Sequence, residues 1–145
     1  MDKQDEALKL LKNIRHITRT IEELQMQIDA TYTMLTNTTV KPKQIDVQTS
    51  LPADPMADRI CTLIEYQEEL QDHQTELINQ KNIAIKVIRQ MEIEEQQVLL
   101  LRYFKNYSIE EVGEKVGYTY RWAWEKIHKA EENFISIYER LHRNT

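Results

Sequence analysis

The chain of 145 residues has only two glycines, three prolines and one cysteine. Average usage is about 7% Gly and about 5% Pro, so turn-forming residues are scarce. A sandwich, a barrel or a doubly wound sheet needs a tight turn roughly every dozen residues, and those folds are excluded on that ground. What remains is a few long elements, and these are helices. The single Cys61 excludes an intramolecular disulfide framework and a Cys-rich zinc site. As a free thiol it is expected to act as a small buried hydrophobe. No run of about 18 apolar residues occurs, so no membrane span and no membrane partner are expected. The opening MDKQDEALKL is charged and has no apolar leader segment, which predicts a cytoplasmic protein.

Catalytic constellations are also missing. His16, His73, His128 and His142 show no i, i+4 pairing, so no metal site is expected. The acid pairs Glu22-Glu23, Glu68-Glu69, Glu94-Glu95 and Glu131-Glu132 stand side by side on predicted helices. Adjacent helical residues point about 100° apart, so such pairs are solvated faces and not carboxylate dyads. No glycine-rich phosphate loop, G-x-S-x-G elbow or Cys–His pairing exists. Neither enzymatic activity nor a cofactor is expected.

What is present is 41% hydrophobic and 30% charged residues, enough of both for a folded, soluble chain. The net charge of −5 argues against binding nucleic acid through the whole surface. It leaves room for one local reading element: residues 119–130 hold Arg121, Lys126 and Lys129 against Glu125 alone.

Three regions follow from patterning. From about Asp5 to Leu35, Ala7, Ile14, Ile21, Ile28 and Leu35 recur every seven residues, with Leu10, Ile17 and Leu24 three residues after each of the first three. This is an a/d heptad. Thr31 interrupts the second series, with Tyr32 beside it as a substitute. Residues 36–54 hold all three prolines but one, and read as a loop, with Ile45–Gln48 as a short extended piece. Asp54 is an N-cap and Pro55 a first helical residue for a helix running to about Gln90. Its stripe is Ile60, Leu63, Leu70, Leu77, Ala84 and Met91, joined by Ile64, Ile78, Ile85 and Ile88, with Gln67, Gln74 and Lys81 at the other seam position. Met26, Met34, Met56 and Met91 are expected to fill core. The two helices predict a hairpin or coiled coil, closed within one chain or between two. Near residues 91–94 the heptads give way to shorter units, which sets the expected domains at 1–93 and 94–145.

The stretch from Tyr107 to Phe134 carries the functional signal. Ser108 with Glu111 forms a capping box that starts a helix. Ile109, Val112 and Val116 form its buried face, and Gly117 ends it. Gly113 lacks a side chain where a second helix is expected to cross. Thr119 caps that second helix, whose inner face is Ala123, Ile127, Ala130 and Phe134. Two short helices, a three-residue turn and a glycine at the bend describe a helix-turn-helix. Its outward face holds Tyr120, Arg121, Trp124, Glu125 and Lys129, with Trp122, Lys126 and His128 on the shoulders. Trp122 is expected to pack inward, and Tyr118 to plug the core at the turn.

From about Glu94 to Phe134 the chain resembles region 4 of sigma-70-type factors: the Leu101-Arg102-Tyr103 run, the S-x-x-E helix, the bend glycine, the capping Thr119 and the trailing Ile127–Ala130. With the long N-terminal arm, the whole looks like the RinA/ArpU-type phage transcriptional regulators. The resemblance implies an all-α fold, a helical arm followed by a sigma-region-4-like helix-turn-helix, and activation of phage late or packaging genes. It implies base reading by Tyr120, Arg121, Trp124 and Glu125, with Ser108, Thr119, Lys126, His128 and Lys129 completing the DNA-binding set. The partners it implies are double-stranded DNA, a second copy through the N-terminal helices, and host RNA polymerase. Trp122 and Trp124 stand where sigma-like helices are often basic. The alternative is a coiled-coil interaction protein that docks on polymerase or sigma without touching DNA.

Overall fold

The computed structural model describes residues 2–37 and 54–143. These form α1 (Lys3–Asn37), α2 (Pro55–Ile88), α3 (Ile93–Leu99), α4 (Ile109–Val116) and α5 (Tyr120–Leu141). A π-helical turn, Leu100–Phe104, continues α3. No strand occurs among the described residues, as the scarcity of turn residues predicts. The connector expected at 36–54 lies, from 38 to 53, outside the described residues, and Ile45–Gln48 lies there with it. At its far end Asp54 caps α2 as expected, accepting from the Met56 N–H at 3.1 Å.

The chain packs as two compact units, one from residues 1–19 with 75–145 and one from residues 20–74. The first holds a single core. Ala7, Leu10, Leu11 and Ile14 of α1 and Ala84, Val87 and Ile88 of α2 join Val98, Leu99, Tyr103, Val112, Ala123, Ile127, Ala130 and Phe134. The change of pattern near 91–94 therefore lies inside one core. Met91, at that change, is itself buried in it. Heptad spacing reports which side of a helix is apolar and not which element covers it.

Polar ties fasten the short helices. The π-helical turn is closed by the Lys105 N–H to the Leu100 carbonyl at 3.0 Å. Asn106 follows in the left-handed region, at φ 58°, where Asn is tolerated. Its amide donates to the Arg15 carbonyl at 3.2 Å, tying this bend to α1. The Tyr103 hydroxyl donates to Glu131 of α5. Burial first, then that hydrogen bond and the carboxylate's charge, raise the phenol's pKa, so it stays a donor. Glu95, 3% exposed, accepts from the Asn133 amide, a second tie between α3 and α5.

In the second unit, Leu24 and Ile28 of α1 are buried, Ile21, Thr31 and Leu35 are half-buried, and Tyr32 is exposed. Thr31 thus keeps the heptad place for which Tyr32 was the alternative. Met26 and Met34 are exposed and fill no core. Met26 lies two residues from both Leu24 and Ile28, so it projects from the opposite side. On α2 the half-buried row is Met56, Arg59, Leu63, Tyr66, Leu70 and His73. Ile60, Ile64, Gln67 and Gln74 are exposed. The seam is therefore one residue earlier than apolar counting predicts at every second position. Arg, Tyr and His suit a half-buried row because their stems or rings are apolar and only their ends are polar. Cys61 is exposed, not buried. It is two residues from both Arg59 and Leu63, on the far side of the helix.

Candidate nucleic-acid interface

The site is built on α4, the turn at 117–119 and the start of α5. Ser108 caps α4 reciprocally. Its hydroxyl accepts from the Glu111 N–H at 3.1 Å, and its own N–H donates to the Glu111 carboxylate at 2.9 Å. The backbone bond from Ser108, then its side chain, hold the Glu111 carboxyl below the usual carboxylate range.

Gly117 ends α4 at φ 82° and ψ 25°, a left-handed conformation that a side chain disfavours. The Tyr118 N–H then reaches back to the Gly113 carbonyl at 2.9 Å. A Cβ at Gly113 would lie 3.1 Å from the carbonyl oxygens of both Tyr118 and Thr119. The close approach at Gly113 is thus made by the turn's backbone and not by the second helix. This also corrects the place of Tyr118. Backbone fills the space beside Gly113, and the Tyr118 ring goes outward, 56% exposed, stacking on Trp122 at 4.2 Å between centroids. Trp122, half-buried, packs against the core as expected.

Thr119 starts α5 by accepting from the Trp122 N–H at 3.1 Å. Ala123, Ile127, Ala130 and Phe134 are buried, so the inner face is the one that spacing predicts. The opposite face is open: Tyr120, Arg121, Trp124, Glu125, His128 and Lys129 are all exposed. They form two parallel rows at i, i+4 spacing. Tyr120, Trp124 and His128 make an aromatic row, in which the Trp124 and His128 rings stack at 4.0 Å. The His128 Nδ1–H donates to the Trp124 carbonyl at 2.8 Å, which leaves Nε2 for a partner outside the helix. Arg121, Glu125 and Lys129 make a charged row, in which Arg121 Nε donates to Glu125 Oε1 at 3.2 Å.

Lys126 belongs to neither row. Its side chain is only 21% exposed and its ammonium lies 3.8 Å from Glu94 and 3.9 Å from Glu92. Of the nine residues singled out from the sequence, six share this exposed face of α5, Ser108 and Thr119 cap α4 and α5, and Lys126 is turned toward α3. Sequence reasoning missed the outward stack of Tyr118 on Trp122. Together with Leu100, Leu101, Lys115 and Val116 it lines an open groove of 740 Å³. The signal was two aromatics four residues apart across a helix start, a spacing that brings rings into contact.

This face offers donors, an acceptor and flat apolar surface on one convex rod. It has no cluster of metal ligands among the described residues. No helix described is long and apolar enough to cross a membrane. Set against family models, curated proteins and solved structures, the chain finds no match in any of the three.

Proposed function

We propose that the chain is a sequence-specific DNA-binding transcriptional regulator, a phage late-gene activator of the RinA/ArpU type acting with host RNA polymerase. In this reading α4, the turn and α5 are a sigma-region-4-like helix-turn-helix, and the start of α5 enters the major groove. The observation that carries it is the unobstructed outer face of α5 opposite a fully buried inner face. Arg121 contacts guanine, Tyr120 and Trp124 contact thymine methyls, and Ser108, His128 and Lys129 contact phosphates. One such unit makes few phosphate contacts, so a dimer on two half-sites is expected, held by coiled-coil pairing of the N-terminal helices.

Quantitative gel shifts on random genomic fragments, read against salt, test the reading. Binding with a steep salt dependence supports it. Arg121→Ala then relaxes base preference, while Lys129→Ala weakens binding evenly and flattens the salt slope by about one unit. Equal loss on all sequences for both variants removes Arg121 from base reading.

One observation favours a second reading, a protein that docks on polymerase or sigma without contacting DNA. The groove beside Tyr118 and Trp122 is largely apolar, and exposed aromatics are common protein anchors. Association with polymerase that is insensitive to salt, without any shift of DNA, would establish it instead.

A further inference from the structure

On the outer face of α5, Glu125 is the only carboxylate among six exposed residues of the first three turns, and it bonds Arg121. A carboxylate facing the phosphate backbone repels DNA, so its presence needs a reason. An exposed i, i+4 pair adds little to the stability of a helix, so stability is not that reason.

We infer that Glu125 is a positioning residue which holds the Arg121 guanidinium for a guanine, and that it is not itself a reader of cytosine. The inference rests on the DNA-binding reading above and deepens it by naming the base. The geometry supplies the argument. The pair engages Nε of Arg121 through Oε1 of Glu125 at 3.2 Å. Nε is the donor on the inner side of the guanidinium. The two Nη groups carry the other four N–H donors, and with Nε engaged they can meet O6 and N7 of guanine end-on in a bidentate contact. A free arginine side chain has several rotatable bonds to freeze before it can make such a contact. Fixing Nε fixes the plane of the fork beforehand and lowers that ordering cost. The Arg121 side chain is 88% exposed and the Glu125 side chain 60%, so the pair stands clear of the surface, where a base edge can reach it. Lys129, four residues on in the charged row, balances the carboxylate's repulsion of phosphate.

Selection from a random duplex pool tests this, with the full chain as wild type and as Arg121→Ala, Glu125→Ala and Glu125→Gln. Wild type is expected to enrich sites with a required guanine, and Arg121→Ala to erase that position. Glu125→Ala is expected to cut the preference at the same position from about tenfold, the range of one bidentate contact, toward none. Glu125→Gln keeps an acceptor oxygen and retains the preference. Both Glu125 variants remove a negative charge, so affinity for duplexes lacking the guanine rises for each alike. That separates the electrostatic effect from the positioning effect, because only the second changes with the acceptor. Loss of a cytosine at a different position in both Glu125 variants, with the guanine intact, overturns the inference and makes Glu125 a reader. An unchanged site in Glu125→Ala overturns it too. Failure of wild type to select any duplex overturns the DNA-binding reading itself, and is seen before any variant is compared.

Discussion

Replacing Gly113 by alanine sets two well-measured effects against each other. Gly113 is inside α4, where alanine is favoured over glycine by about 1 kcal/mol. Propensity alone therefore predicts a more stable protein. The structure predicts the reverse. The new Cβ would stand 3.1 Å from two carbonyl oxygens, those of Tyr118 and Thr119. Both are backbone, and neither is free to retreat. The Tyr118 N–H is bonded to Gly113 itself, and the Thr119 carbonyl accepts the first helical bond of α5, from the Ala123 N–H at 3.1 Å. Relief requires the turn to move with the start of α5. Overpacking of this kind costs about 1–3 kcal/mol. The net expectation is a loss of about 1 kcal/mol. Urea unfolding of the full chain measures it as a midpoint lowered by roughly 0.5 M at unchanged slope, for a slope of about 2 kcal/mol/M. A midpoint that rises would show that the turn gives way freely, and the account of Gly113 as the seat of the turn would be wrong.

Three further outcomes follow from the same geometry. Gly117→Ala is expected to destabilise by about 1 kcal/mol through its left-handed φ, and Gly117→Asn by less, since Asn tolerates that region; urea midpoints that rank them the other way refute this. The Glu111 carboxyl has a folded pKa below its unfolded one, so its contribution is present above the unfolded value and is lost as pH falls through the folded one. Wild type and Glu111→Gln should therefore differ at neutral pH and converge in acid, and a gap that widens on acidification contradicts the cap. A fragment of residues 94–145 is expected to lack a cooperative thermal transition, because it is missing the buried residues of α1 and α2.

Much of this fold is legible in the residues themselves, for identifiable reasons. Helix ends were readable wherever a side chain caps them, as at Asp54, Ser108 and Thr119, because those hydrogen bonds are local. The inner face of α5 was readable because Ala123, Ile127, Ala130 and Phe134 are apolar on an otherwise polar helix. The register of α2 was not. Ile60 and Ile64 outweigh Arg59 and Tyr66 on any hydrophobicity count, yet the amphipathic pair takes the seam. Tertiary context decides there, and a single sequence does not contain it. The same holds for Tyr118, whose outward place depends on a turn backbone that fills the space beside Gly113. At the candidate interface the exposed rows followed from periodicity, whereas the capture of Lys126 by Glu92 and Glu94 depends on how α3 meets α5.

The core that supports α5 draws on residues as far apart in sequence as Ala7 and Phe134. A ribosome making this chain releases Ala7 well over a hundred residues before Phe134. Closure must wait until Phe134 has emerged, and contacts of such large separation are slow to form. During that interval the apolar stripe of α1 is bare. The nascent protein is then at its most vulnerable to aggregation, or to capture by a chaperone.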